Sequence, residues 1–403
     1  METIVLKFGG TSVGSTDRIS AVADLIQAAS KEAFPVVVVS AMSGETNRLI
    51  DLAQSFGSEP NKREFDALVS TGEKVSASLV AIALNHLGLK AKSLSAAQFG
   101  MKTTSHFSRA KILDMNNDIL FQTIEEGYIP IITGFQGITA DGDTTTMGRG
   151  GSDTTAVAIA ASIKAKRCDI YTDVDGIYTT DPRIVPEAKK LDSISMEEML
   201  ELSGQGAKVI QIRAVEFANK YNVLVRVLSS FEPGSGTLIL QEEEGMEDAV
   251  ITGIASQTDQ TKFTLHGVAD TPGIASGILS PISDEGIEVD VIVQNISVSN
   301  KTDFTFTVAT SDRPQVEAVL KEKMKGISYD ELIIDEAIGK ESLVGVGMRS
   351  HAGIASSAFN ALADAEINIQ MISTSEIKIT IVIAEDQVEN AVRTLHKTFN
   401  LGD

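Results

Sequence analysis

At roughly 150 residues per domain, a chain of 403 residues is too long for one ordinary domain and is expected to hold two or three. Its 43% hydrophobic and 22% charged residues exclude wholesale disorder, and a formal net charge of −21 argues against a nucleic-acid or anionic-membrane binder that needs a basic face. The single cysteine, Cys168, can close no disulfide within the chain, and with five scattered histidines it makes no zinc site, so no resident metal is expected. Met1 to Gly10 passes directly into a strand-like run rather than a leader, and no uninterrupted apolar stretch reaches about 18 residues. The expectation is a protein of the cytoplasm with no membrane span.

The first part of the chain, about 230 residues, alternates short β-branched runs with longer amphipathic ones, the pattern of an α/β domain around a largely parallel sheet. Thr3 to Phe8 predicts a first strand, and Asp17 to Lys31 a helix with Thr16 as N-cap. Val36 to Ser40 is a buried strand, Lys62 to Leu87 one long helix, and Tyr128 to Thr133 a further strand. An Ala-rich helix over Asp153 to Ala165 precedes a strand at Cys168 to Thr172 and a turn-rich stretch to Pro182. Helical segments come next at Ile194 to Leu202 and Ala207 to Tyr221, then strands at Val223 to Leu228 and Thr237 to Leu240.

An acidic run, 241–249, marks the boundary of a first region spanning 1–240, and Met246 within it is a candidate internal start. The chain beyond this run repeats itself. An offset of 80 residues lays Gly273-Ile274-Ala275-Ser276 on Gly353-Ile354-Ala355-Ser356 and Asp284 on Asp364. Each copy, 258–339 and 340–403, reads strand, helix, strand, strand, helix, and only the first has a closing strand, near Tyr329 to Asp335. Residues 250–257, unused by the first copy, are expected to supply the missing strand of the second.

Three segments carry chemistry. Lys7-Phe8-Gly9-Gly10-Thr11-Ser12 ends a strand with two glycines whose backbone N–H groups can approach phosphate oxygens and a lysine that can neutralise them; it is not a P-loop, because the lysine precedes the glycines. Gly148-Arg149-Gly150-Gly151-Ser152-Asp153 frames an arginine, a carboxylate or phosphate clamp, with three glycines, and Ser152 and Asp153 stand where a helix N-cap is expected. The run Tyr171 to Arg183 contains Asp173-Val174-Asp175-Gly176 but lacks the remaining ligands of an EF-hand. A hairpin at Asp175-Gly176 places Tyr178 and Arg183 on its far arm, suited to a nucleotide.

With these residues in view the chain resembles the aspartate kinases of the amino acid kinase family. The resemblance rests on K-F-G-G-T-S-V at Lys7 to Val13, V-V-S-A-M at Val38 to Met42, S-T-G-E at Ser70 to Glu73, G-R-G-G-S-D at Gly148 to Asp153, Y-T-D-V-D-G-I-Y-T-T-D-P-R at Tyr171 to Arg183, and two ACT-type repeats. It implies an α/β amino acid kinase fold, a largely parallel sheet between helices, followed by two α+β ferredoxin-like ACT modules. The implied reaction is ATP-dependent phosphorylation of the β-carboxylate of L-aspartate, with Mg²⁺ arriving with ATP and lysine, threonine or both as effectors.

By the same resemblance Lys7 and Asp153 are catalytic; Lys7, Phe8, Gly9, Gly10, Thr172, Asp173, Tyr178, Arg183 and Lys208 bind ATP; and Ser40, Thr46, Glu73, Arg149, Gly150, Gly151 and Ser152 form the aspartate site. Effector residues are Asp270, Gly273, Ile274, Ala275, Asp290, Gln294 and Asn295 in the first copy, and Ile354, Ala355, Asn368, Ile369, Ser375 and Glu376 in the second. A homo-oligomer joined through the ACT modules, with a short chain from Met246 as a further partner, is implied as well. The pattern departs at Gln211-Ile212, where many relatives carry His-Pro. The competing readings are a kinase for another amino acid and a non-catalytic amino acid sensor.

Overall fold

The computed structural model describes residues 2–207, 209–241, 250–296, 301–323 and 327–402. Lys208, most of the acidic run and Met246 lie outside them. The chain divides into two compact units, Met1–Ile177 with Lys190–Gly204 and Lys208–Gly245, and Tyr178–Lys189 with Gln205–Ala207 and Met246–Asp403.

The first unit opens with β1 (Thr3–Phe8), α1 (Thr16–Ala29), β2 (Phe34–Val39), α2 (Glu45–Gln54), α3 (Lys62–Val69) and α4 (Thr71–His86). There follow β3 (Ala91–Leu94), α5 (Ala96–Phe99), β4 (Met101–Thr103), β5 (Ile112–Met115), α6 (Asp118–Glu125), β6 (Ile129–Thr133), β7 (Gln136–Ile138) and β8 (Thr144–Thr146). It closes with α7 (Gly151–Ser162), β9 (Cys168–Thr172), β10 (Ser193–Ser195), α8 (Met196–Gly204), α9 (Ile212–Tyr221), β11 (Val225–Ser229) and β12 (Thr237–Leu240).

Eight of these strands form one sheet in the order β10-β12-β11-β9-β1-β2-β6-β3, parallel except between β11 and β12. Central parallel strands are covered on both faces, which is why β1 and β2 read as continuous apolar runs. Ile4, Leu6 and Phe8 of β1 pack with Val22 and Ile26 of α1 and with Val80 and Leu84 of α4. Residues 62–86 are apolar and long enough to match a membrane span by composition. Ala77, Val80, Ala81 and Leu84 belong instead to this core.

Several boundaries differ from the sequence expectation. Ser15, not Thr16, caps α1: its extended backbone turns the hydroxyl onto the Arg18 amide at 3.2 Å. The long helix parts at Ser70, beyond which Gly72 approaches Ala41 so closely that a Cβ there would stand 2.8 Å from the alanine methyl. Helix α9 begins five residues later than expected, at Ile212, because Gln211 is extended. The four-stranded sheet β5-β4-β7-β8 was invisible in the pattern, its strands being three or four residues long and mostly polar.

The second unit contains β13 (Gly253–Ala269), α10 (Ile274–Asp284), β14 (Ile292–Ile296), β15 (Lys301–Ala309), α11 (Arg313–Lys323), β16 (Glu331–Val344), α12 (Ile354–Asp364), β17 (Met371–Thr374), β18 (Lys378–Ala384) and α13 (Val388–Thr398). Its sheet is antiparallel, in the order β14-β15-β13-β16-β18-β17. What reads as four separate strands is two long ones. No glycine or proline separates Gln257 from Lys262, so β13 continues through shifts of register at Gln260.

Each long strand serves both repeats. Gly253 to Gln257 pair with Val344 to Lys340, and Ile254 packs with Leu343, Ile381 and Leu395 beneath α12 and α13. Phe263 and Leu265, farther along β13, pack with Ile278 of α10, Phe306 and Val316 of α11 in the other core. The Tyr178–Lys189 segment is tied to the same unit through the buried Thr179 hydroxyl, which lies 3.0 Å from His396 Nε2 and donates to the Leu401 carbonyl at 3.0 Å.

Glu341 of β16 is 1% exposed and neither carboxylate oxygen has a hydrogen-bond partner. Burial alone raises its pKa well above the ordinary 4.5. The folded chain therefore holds a proton that the unfolded chain releases, so this group's contribution to stability is full below the unfolded pKa and is lost as pH rises toward the folded one. One such proton is worth about 1.4 kcal/mol per pH unit. Glu341→Gln should melt close to the parent at pH 5 and several degrees higher at pH 8; midpoints that keep a constant separation across that range would refute this account.

Candidate active site

The C-terminal ends of the parallel strands gather the glycine motifs. Lys7, next to last in β1, stands between Val38 of β2 and Ile170 of β9, and its Nζ lies 2.6 Å from Asp153 Oδ1. Both side chains are 10% exposed. Asp153 is in the first turn of α7, a helix buried on nearly every side because its small residues let strands and helices close around it.

The pair borders a cavity of about 310 Å³ that Gly10, Ser40, Thr46, Glu73, Arg149, Gly150, Gly151 and Ser152 also line. Ala41, Met42, Ser43, Gly44, Phe135 and Gly148 complete the wall, and sequence reasoning missed them. The motif V-V-S-A-M runs into four of them, which was the available signal.

Glu73, 3% exposed in the first turn of α4, accepts the Ala41 amide at 3.2 Å through Oε1, while Oε2 has no partner. Burial raises its pKa to about 7, outweighing the opposing pull of the backbone amides of Glu73 and Ala41 and of the Gln136 side chain. Arg149, by contrast, is exposed. The cavity thus carries a lysine–carboxylate pair, a second carboxyl poised near neutrality and an exposed guanidinium, the partners a zwitterion with an extra carboxylate requires.

The Arg149 loop is held by packing. Gly148 and Gly150 have φ of +77° and +68°, and Gly150, not Ser152 or Asp153, is the N-cap of α7. A Cβ on Gly150 would fall 1.6 Å from Gln211 Cγ. Gln211, where the chain departs from the pattern of many relatives, therefore packs against the Arg149 loop. Just before the loop, fully buried Asp66 accepts from the amides and hydroxyls of Ser108 and Thr146 at 2.7 to 3.0 Å, and Arg213 donates to the Met147 carbonyl at 3.2 Å. Sequence reasoning found neither anchor, since both act through partners remote in the chain.

The remaining expected residues divide. Phe8 is fully buried and stacks on Tyr171 with centroids 4.8 Å apart, so it can offer a nucleotide only backbone. Gly9 lies in the same turn, its amide bonded to the Tyr171 carbonyl. Thr172 donates to Asp173 Oδ1 at 3.0 Å on the exposed end of β9. Tyr178 and Arg183 belong to the segment grouped with the second unit, where Arg183 pairs with Asp181, and Lys208 lies outside the described residues.

Within the second unit, Gly273 and Gly353 cap α10 and α12 with matching φ of +94° and +95°. Asp270, Gln294, Asn295, Asn368, Ser375 and Glu376 are exposed, and Glu376 faces Arg349 at 3.6 Å. Ile274, Ala275, Ile354, Ala355 and Ile369 turn their side chains toward the two cores. Asp290 is paired with Lys340.

The amino acid kinase family matches residues 2–229, and ACT domains match 264–323 and 342–399. The aspartate kinase of Pseudomonas fluorescens (strain SBW25) is 54% identical over all of this chain and 98% of its own. The chain belongs to the aspartate kinases, within the amino acid kinase family. Among solved structures, aspartokinase III of E. coli in complex with aspartate and ADP (R-state) is similar with a TM-score of 0.86 at 27% identity, over 98% of this chain and 99% of that one. The same enzyme with lysine and aspartate (T-state) gives 0.77, over 99% and 100%. Membership of the aspartate kinases makes the chain an enzyme, with an α/β kinase fold and two ACT domains.

Gly150→Ala must place a methyl in the left-handed region and against Gln211, and is expected to lower stability by about 1–3 kcal/mol. Gly150→Ala with Gln211→Ala should recover part of that loss by freeing space while leaving the backbone strain. Denaturant unfolding of the two variants tests this, and an equal loss in both would remove Gln211 from the explanation.

Proposed function

We propose that the cavity binds L-aspartate and the terminal phosphate of ATP together, and that phosphoryl transfer gives 4-phospho-L-aspartate. The Lys7–Asp153 pair at the cavity wall is the observation that carries this reading. An aspartate side-chain carboxyl ordinarily titrates near ~3.9 and is already ionised at neutral pH, so the nucleophile needs no strong base and positioning with charge neutralisation suffices. Lys7 neutralises charge on the transferring phosphoryl group, Asp153 holds that ammonium in place, and the backbone of Gly9 and Gly10 approaches the phosphates.

Arg149 meets a substrate carboxylate, while Glu73, with Ser40, Thr46 and Ser152 nearby, meets the ammonium. Gly150 and Gly151 allow the loop to approach. Thr172, Asp173, Tyr178, Arg183 and Lys208 are proposed for the nucleotide. Mg²⁺ is proposed to arrive with the ATP phosphates.

We further propose a cytoplasmic enzyme in which residues 1–240 catalyse and the ACT modules, 258–339 with 340–403 completed by 250–257, sense lysine, threonine or both. Strands β14 and β17 end the antiparallel sheet with Ile292 and Ile372 exposed, edges suited to pairing in a homo-oligomer.

The test is ADP release by the purified chain with L-aspartate, glutamate and N-acetylglutamate, alone and with lysine, threonine or both. Turnover confined to aspartate and suppressed by an effector is expected; none with aspartate would overturn the reading. Lys7→Ala should lower kcat by at least about a hundredfold with the melting midpoint little changed, and near-parental turnover would remove Lys7 from the chemistry. Because Glu73 must lose its proton to hold an ammonium, KM for aspartate should fall as pH rises from 6 to 8. Glu73→Gln should raise KM and flatten that slope, and a slope surviving in the variant would assign it to another group.

A further inference from the structure

The second unit contains a buried cation to which the proposed function gives no task. Lys340 of β16 is 2% exposed, and its Nζ reaches Asp290, just before β14, whose side chain is 39% exposed. On the same face of β16 stands Ile338, and across the ladder Val382, both in an apolar cluster with Val291 and Met371. Burial there pulls the ammonium's pKa below its ordinary value, against the opposing attraction of Asp290. An ammonium withdrawn from water needs a partner.

The repeat supplies a second observation. The offset of 80 residues that aligns the copies lays Gln370 on Asp290. Gln370 Oε1 in turn accepts from Lys262 Nζ, and Lys262 lies on β13. Each copy thus presents the same position to a lysine from one of the two long shared strands. At that position the first copy has an aspartate and the second a neutral amide, and Lys262 is paired besides with Asp335 of β16 at 3.2 Å. At the first, an amino acid's ammonium could replace the lysine with the charge on Asp290 still balanced.

We propose that Lys340 is a tethered competitor for the ammonium group of the effector amino acid at Asp290. This rests on the reading of the ACT modules as amino acid sensors and deepens it by naming what the ligand must displace. With Asp290 taken, Lys340 loses the anion that compensates its burial, so displacement is uphill and raises the concentration at which the effector fills the site. Removing the ammonium while keeping the side chain's length removes the competition.

Calorimetric titration of L-lysine and L-threonine into the full chain, without nucleotide or aspartate, tests this. Lys340→Met should bind the effector at least tenfold more tightly than the parent, or bind where the parent does not, while Lys340→Arg stays near the parent and Asp290→Asn binds more weakly. Unchanged or weaker binding to Lys340→Met, with a melting midpoint at or above the parent's, overturns the inference and leaves the sensor reading standing. Should that variant not fold, Lys340→Gln carries the same expectation and the same refutation. Binding by none of the chains sinks the sensor reading and this inference together.

Discussion

An ammonium and a carboxylate 2.6 Å apart, each withdrawn from water except for one face open to the cavity, are the interaction around which the first unit is arranged. Lys7 must leave a central strand and Asp153 must enter a buried helix for the two to meet. Parallel strands with both faces covered permit the first, and the alanine-rich α7 permits the second. A buried ion pair is weak evidence for stability, because desolvation offsets much of its attraction. Its place at a cavity wall beside Glu73 and Arg149 gives it another reason to exist. Under the proposed function it presents the Lys7 ammonium to an anionic reactant and needs no rearrangement when negative charge develops.

Glu73 reaches a poised state by the opposite route. Burial, with no ion pair to oppose it, leaves the carboxyl half protonated near neutrality, with one oxygen held by the Ala41 amide and the other unpartnered. Such a carboxyl is costly in a free protein and is relieved when an ammonium arrives. The fold tolerates that cost because Gly72 lets α4 press against Ala41, closing the wall behind the side chain. Under the proposed function, specificity for a substrate carrying an amine arises from that unsatisfied carboxyl.

Much of this was legible in the chain because it depends on local pattern. β1, β9 and β12 begin and end where apolar runs begin and end, and glycines at 148 and 150 announce a loop that only positive φ can close. What was not legible depends on partners far away in sequence. Asp66 holds Ser108 and Thr146 across 42 and 80 residues, and nothing near Asp66 announces either. Phe8, expected to face nucleotide, stacks on Tyr171 because alternation along β1 turns it inward. Thr179 and its neighbours read as one arm of a nucleotide hairpin; the Thr179 hydroxyl, the Arg393 bond to the Ile184 carbonyl and the packing of Val185 and Ala188 on Val392 tie them to α13 and the residues after it.

The repeat was visible in sequence, but its most consequential feature was not. Two copies of a small module could each have closed a separate sheet; here β13 and β16 each run through both, so neither copy's sheet is complete without residues from the other half of the unit. A shift along either strand alters pairing in both cores at once, because the register is continuous and a slip of one residue exchanges the faces. Lys340 and Lys262 sit on these two strands and point to equivalent positions of the opposite copies. Under the inference drawn for Lys340, an event that changes the partner of either lysine acts on a strand common to both modules.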